Sequence, residues 1–208
     1  MTAKWHNSPV TEHEGTLSAI RQHIPTFERR AFALTQSDQE RSRLNERLDT
    51  IVRLPVEDDG AFVPVGVVSK DYALVPHTAV LDAAERALQA VKIDSKDVWA
   101  DLAITEYGER MALSLYLPER YQFTPTDGHP MALRLECINS VDGSTRFQVL
   151  LGWFRFVCSN GLVIGITRSD IRRRHVGDFQ HNDIASVLAS GIKEAEVDKE
   201  NFQKWYGR

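Results

Sequence analysis

The stretch Asn139–Gly165, NSVDGSTRFQVLLGWFRFVCSNGLVIG, constrains the fold more than any other part of the chain. Val141-Asp142-Gly143-Ser144 is a turn signal set between apolar runs, because glycine accepts the positive φ that a tight reversal needs. Asn160-Gly161 offers a second reversal for the same reason. The stretch therefore predicts three strands of one antiparallel sheet, with Met131–Ile138 and Arg146–Phe156 flanking the first turn.

Around it, the spacing of apolar residues predicts the remaining elements. Residues 1–16 are polar and read as an arm. Residues 17–49 read as helical: Leu17, Ile20 and Ile24 begin an apolar stripe that Pro25-Thr26 breaks, Phe27–Leu34 read as a further turn of helix or as a strand, Ser37 and Glu40 match a capping box, and Leu44, Leu48 and Ile51 form a buried face. Residues 62–68 read as a strand and 79–91 as a helix through Val80, Leu81, Ala84, Leu88 and Val91. Residues 99–107 and 111–117 read as a hairpin around Gly108-Glu109. Three prolines and a glycine make 118–130 a loop. Residues 183–204 read as the last helix, with Ile184, Val187, Leu188 and Ile192 on one face. The expected class is α+β: an antiparallel, curved sheet of about five strands (62–68, 99–107, 111–117, 131–138, 146–157), helices packed on one face, and an N-terminal helical arm. Residues 1–60 form the arm and helices in this reading, and 61–208 the core domain.

A chain of 208 residues with 42% hydrophobic and 26% charged residues suits one globular domain, or one with an arm. No apolar run reaches the ~20 residues of a membrane-spanning helix. MTAKWHNSPV lacks a basic segment followed by an apolar one, so a secretory leader is not expected. Two cysteines make no disulfide framework, and a reducing cytoplasm is the expected setting.

Net charge is −4, yet residues 131–175 carry seven arginines against three acids, a local excess of +4. Arginine suits planar recognition of phosphate. Arg172-Arg173-Arg174-His175, preceded by Arg168, is the strongest candidate site, because three adjacent arginines cannot all be buried. Arg155 and Trp153 share one face of the preceding strand, opposite Phe154 and Phe156, which are assigned to the core. Trp153 and Tyr72 are the candidates for stacking on bases, and Arg155, Arg168, Arg172, Arg173, Arg174 and His175 for meeting phosphates. Cys158 lies among Phe154, Phe156 and Val157 and reads as a buried, unreactive thiol, as does Cys137. The seven histidines, His6, His13, His23, His77, His129, His175 and His181, show no metal-ligand spacing, and phosphate-loop and dinucleotide signatures are absent, so no metal or cofactor is expected. Asn139, Asp142 and Asn160 read as turn-formers.

Gly66-Val67-Val68-Ser69-Lys70-Asp71-Tyr72, Ile138 to Ser144, Phe154 to Gly161 and Arg173-Arg174-His175-Val176-Gly177, in this order and spacing, resemble the phage/plasmid-like family of bacterial mobile elements, a domain of unknown function. The resemblance covers about residues 60 to 190 and implies a mobile-element origin. The order strand, helix, three strands, helix is also similar to that of ring-forming single-strand annealing proteins, an analogy of topology alone. The leading expectation is a non-enzymatic protein that binds nucleic acid, single-stranded DNA above all, in recombination or element transfer, with self-association adding affinity. The alternative is a protein-interaction module that inhibits a host defence complex, to which the acidic net charge is suited. A third reading is an enzyme using Cys158 or His175.

Overall fold

The computed structural model describes residues 9–36, 41–55, 60–125, 128–156, 163–173 and 181–206. Among them, in chain order, are β1 (Val10–Thr16), α1 (Leu17–Arg21), β2 (Phe27–Gln36), β3 (Arg41–Arg53), β4 (Val63–Ser69), α2 (His77–Ala90), β5 (Trp99–Thr105), β6 (Arg110–Tyr116), β7 (Gln122–Phe123), β8 (Met131–Ser140), β9 (Phe147–Phe156), β10 (Val163–Arg173) and α3 (His181–Tyr206). The larger sheet runs β1-β5-β6-β8-β9-β10, with β7 also pairing β8, and the smaller one β2-β3-β4. Every pairing is antiparallel.

This overturns the expected α+β class. The described chain is mostly strand, in two antiparallel sheets with few helices, not one curved five-stranded sheet with helices on one face and a helical arm. Residues 10–16, read as an arm, form the edge strand β1. Of the described residues in 17–49, only Leu17–Arg21 are helical, where Thr16 Oγ1 caps Ala19 N at 3.3 Å, and Phe27–Leu34 take the strand alternative as part of β2. The strand at Val63–Ser69 belongs to the smaller sheet. Thr50-Ile51-Val52 is a β-branched run, which is stiff at χ1 and favours strand over helix. Leu44, assigned to a buried helix face, is 62% exposed, whereas Ile51 is fully buried. The capping pair Ser37 and Glu40 lies outside the described residues. The apparent helical spacing of Leu44, Leu48 and Ile51 spans an irregular ladder. Between Ala31↔Asp49 and Ala33↔Leu44 the register breaks, and Asn45 Oδ1 accepts from Arg47 N and Leu48 N at 2.9 and 3.0 Å.

Alternation along β8 and β9 points Leu133, Leu135 and Cys137, and Phe147, Val149, Leu151 and Trp153, into one core. That core is shared with Leu81, Ala84 and Leu88 of α2 and with Leu188, Ile192 and Ala195 of α3. Tyr121 Oη donates to Glu196 Oε1 at 2.7 Å, fastening α3 to the segment before β7. A second, smaller core of Phe27, Ile51, Val68, Tyr72 and Val141 joins the smaller sheet to the turn after β8. No helix among the described residues is long and apolar enough to cross a membrane.

The turn between β8 and β9 is built as its residues suggest. Gly143 has φ +79°, and Asp142 Oδ1 accepts from Ser144 N and Ser144 Oγ at 2.9 and 2.6 Å. Arg110 holds the other carboxylate oxygen at 3.3 Å. Ser140 Oγ donates to Thr145 O at 2.9 Å and accepts from Thr145 N at 3.0 Å. The smaller sheet lies directly on this turn: a Cβ placed at Gly66 would stand 2.8 Å from Asp142 Cα. Because that obstacle is backbone, Gly66→Ala must push β4 away from the turn. A loss of about 1–3 kcal/mol is expected from overpacking, read by urea unfolding. Unchanged stability would show that the two sheets can separate freely.

Candidate nucleic-acid interface

Residues chosen from the sequence as an arginine patch map onto the outermost two strands of the larger sheet. Arg155 in β9 pairs with Ile164 of β10 and with Met131 of β8. Arg172 and Arg173 in β10 pair with Gln148 and Phe147. The ladder shifts register between Thr167 and Ser169, which leaves Arg168 as the extra residue of a bulge. Arg174 and His175 lie outside the described residues, as does Cys158. At 3.3 Å per residue, the ladder positions of Arg155 and Arg172 are separated by roughly 23 Å. The four arginines thus form a line along an edge, not a compact cluster. Arg146, exposed one residue before β9, stands at the Arg172–Arg173 end of that line. The choice from sequence omitted it.

Both stacking candidates are internal. Trp153 is fully buried, and its ring meets Phe123 edge-on with centroids 5.3 Å apart. Tyr72 belongs to the smaller core, and its hydroxyl donates to Ser140 O at 3.1 Å. Burial together with the Asp142 charge raises the Tyr72 phenol, so it remains protonated as a donor. Neither ring offers a face to a base. The strand parity is the reverse of the expected one: Trp153 faces the core, and Phe154, expected inside, is half-buried on the opposite face.

On that opposite face lies an arrangement that the sequence reading missed. The Arg134 guanidinium is sandwiched between Tyr116 and Phe154, at 4.7 and 5.0 Å from the ring centroids. It pairs with Glu136 and donates to Ser114 Oγ at 3.2 Å. Ser114 Oγ in turn donates to Glu136 Oε2 at 2.8 Å, and Tyr116 Oη to Asp101 Oδ2 at 2.7 Å. Arg134 is 1% exposed. Burial lowers its pKa, opposed by Tyr116 and Asp101, and burial with the Asp101 hydrogen bond pushes Tyr116 up to about 12. Arg134 therefore contributes to the sequence's arginine excess without offering a cation to solvent. The residues at register positions Glu14, Asp101, Ser114 and Glu136 form one cross-strand row, so the β1–β8 part of this face carries three acidic positions. Alternating polar positions on β6 and β8 are the signal in sequence, but the partners were legible only with the register known.

Asn139, read as a turn-former, works in the interior instead, while Asn160 lies outside the described residues. His77 and Asn139 are fully buried. Asn139 Nδ2 donates to His77 Nδ1 and to Val75 O, both at 2.9 Å, and His77 Nε2 donates to Gly108 O at 2.9 Å. Cys137, one turn of the pleat away on β8, is buried, and burial pushes its thiol up to about 12, which fits an inert thiol. Among the described residues no three His, Cys, Asp or Glu side chains converge as a metal site requires.

A family model described as "Domain of unknown function (DUF932)" matches residues 64–208. The chain is similar to UPF0380 protein YfjQ of Escherichia coli (strain K12), 49% identical over 41 residues, which is 20% of this chain and 15% of that protein. The similarity to UPF0380 protein YafZ of the same organism has the same identity and extent. The matched segment thus spans about 15% of the length of these curated relatives. No solved structure matches the chain.

The burial of Trp153 has a direct consequence. Trp153→Ala is expected to cost about 3–5 kcal/mol, the range for truncating a large core side chain, as read by chemical denaturation. A change below about 1 kcal/mol would be incompatible with a packed indole at this position.

Proposed function

The chain belongs to the DUF932 family, and from that premise we propose that it is a phage- or plasmid-derived, non-enzymatic protein that binds nucleic acid, single-stranded DNA above all, through the β9–β10 edge. One observation carries the reading: Arg155, Arg168, Arg172 and Arg173 all fall on the outermost two strands, three of them on the edge strand itself. A single strand tracked along that edge would pass an arginine position at intervals, and arginine is suited to taking a phosphate bidentately. With Trp153 and Tyr72 in the interior, binding rests on phosphate neutralisation. Affinity should then be modest per protomer and raised by self-association, and the preference among sequences weak.

A protein partner is the second reading, and the acidic row on the same sheet favours it. Glu14, Asp101 and Glu136 are set where a basic surface would dock, with Trp99 half-exposed beside them.

Salt separates the two readings. Binding of fluorescent oligothymidylate should weaken as salt rises, with a slope of log affinity against log salt of about −0.7 per phosphate contact, hence roughly −2 to −3 for three or four contacts. The triple variant Arg146→Gln, Arg172→Gln, Arg173→Gln should flatten the slope by about 2 with the melting temperature held. No binding to single or double strands at low salt would remove the nucleic-acid reading and leave the protein partner.

A further inference from the structure

At the opposite edge of the larger sheet, β1, the residues following α1, the end of β3 and the β5–β6 turn enclose a cleft of about 270 Å³. Its polar lining includes Thr11, His13, Gln22, His23, Arg53 and Glu106. The His13 and His23 rings stack face to face, with centroids 3.8 Å apart and planes 11° from parallel. Gln22 Nε2 lies 3.4 Å from His23 Nε2, a contact in which a neutral His23 accepts and its proton sits on Nδ1. Arg53 Nη1 donates to Glu106 O at 3.2 Å, which draws the guanidinium to the cleft wall. Two imidazoles, a guanidinium and an amide thus line one small space, with Glu106 the one carboxylate in it. Glu12 and Glu14 flank His13 in β1 and alternate to the other side of the strand. Arg21 of α1 is engaged by Asp82 and Glu85 of α2, both at 2.8 Å.

We propose that this cleft is a pH-gated binding site for a phosphate-type oxyanion. Stacked imidazoles tolerate one proton far better than two, since two cations at 3.8 Å repel with little water between them. A dianion seated against His13, His23 and Arg53 removes that repulsion. Protonation of His23 also ends its acceptance from Gln22, and the released amide N–H becomes a further donor to the anion. Burial, and then the His23 charge, lower the His13 pKa. The sign follows. A histidine whose folded pKa lies below its unfolded value leaves the native state short of protons as pH falls below about 6.5. An oxyanion restores them by binding the doubly protonated form, so its affinity rises as pH falls. The cleft lies at the β1 edge, far from β10 in the strand order, and the inference stands apart from the strand-binding proposal.

Sulfate is the first probe, because it keeps both charges throughout this pH range. Calorimetry at constant ionic strength should show binding about tenfold tighter at pH 5.5 than at pH 7.5, the scale of one coupled proton. NMR titration should show the His13 pKa rising when sulfate saturates the protein. Arg53→Gln should weaken binding at both pH values. His13→Phe, which keeps a ring on His23, should abolish most of the pH dependence while the melting temperature at pH 7.5 holds. A 5′-phosphorylated dinucleotide that binds where its 5′-hydroxyl counterpart does not identifies a strand end as the ligand source; equal binding of sulfate and the phosphorylated dinucleotide identifies the free oxyanion. Absence of sulfate binding at both pH values, or binding that neither variant alters, overturns the proposal.

Discussion

A single buried imidazole ties together parts of the chain that are far apart in sequence. His77 opens α2, accepts from Asn139 near the end of β8, and donates to Gly108 in the β5–β6 turn. Each partner leaves a buried polar group without its match if the others shift, which costs about 1–3 kcal/mol per group. Phe27 of the smaller sheet meets the His77 ring edge-on, with centroids 5.6 Å apart, so the β2-β3-β4 sheet is referenced to the same point. The turn after β8 then takes its place through Val141, Asp142 and Gly143, and the arginine-bearing strands follow from β8 by register alone.

How much was legible in the sequence depended on whether a local signal stood on its own. Asp142-Gly143 did: the positive φ and the side-chain bonds of Asp142 need no distant partner, and the hairpin forms where it was expected. Apolar spacing from Val80 to Leu88 likewise lies on the buried face of α2. The stretch from Leu44 to Ile51 misled, because a bulged strand can imitate helical spacing; the β-branched Thr50, Ile51 and Val52 are the local signal for strand. Trp153 and Phe154 show a different limit. Both strand faces carry large rings and an arginine close by, so alternation tells that they oppose each other and not which one faces the helices. That depended on α2 and α3 covering the Trp153 side, a fact of tertiary packing.

Arg134 shows why a count of charges misjudges a surface. Read in line, it belongs to the arginine excess; folded, it lies flat between Tyr116 and Phe154 and is matched by Glu136. Removing only one member would leave a buried charge without its partner, a larger loss than removing both. Lysine at this position would lose the planar contact with the two rings and the fork that reaches Ser114 and Glu136. What remains on that face toward β1 is a cross-strand row of Glu14, Asp101 and Glu136, the last already matched by Arg134.

The pairing of β1 with β5 also sets an order in time. Val10–Thr16 must wait for Trp99–Thr105 before its backbone finds a partner, and at 5–20 residues per second that delay is about 5–20 s during synthesis. Through that interval the segment is an unpaired strand edge, the kind of surface on which nascent chains aggregate. Glu12 and Glu14, exposed in the finished sheet, carry charge from the moment they emerge. Charge on an edge strand opposes its pairing with another chain, and theirs is present before there is any sheet for them to decorate.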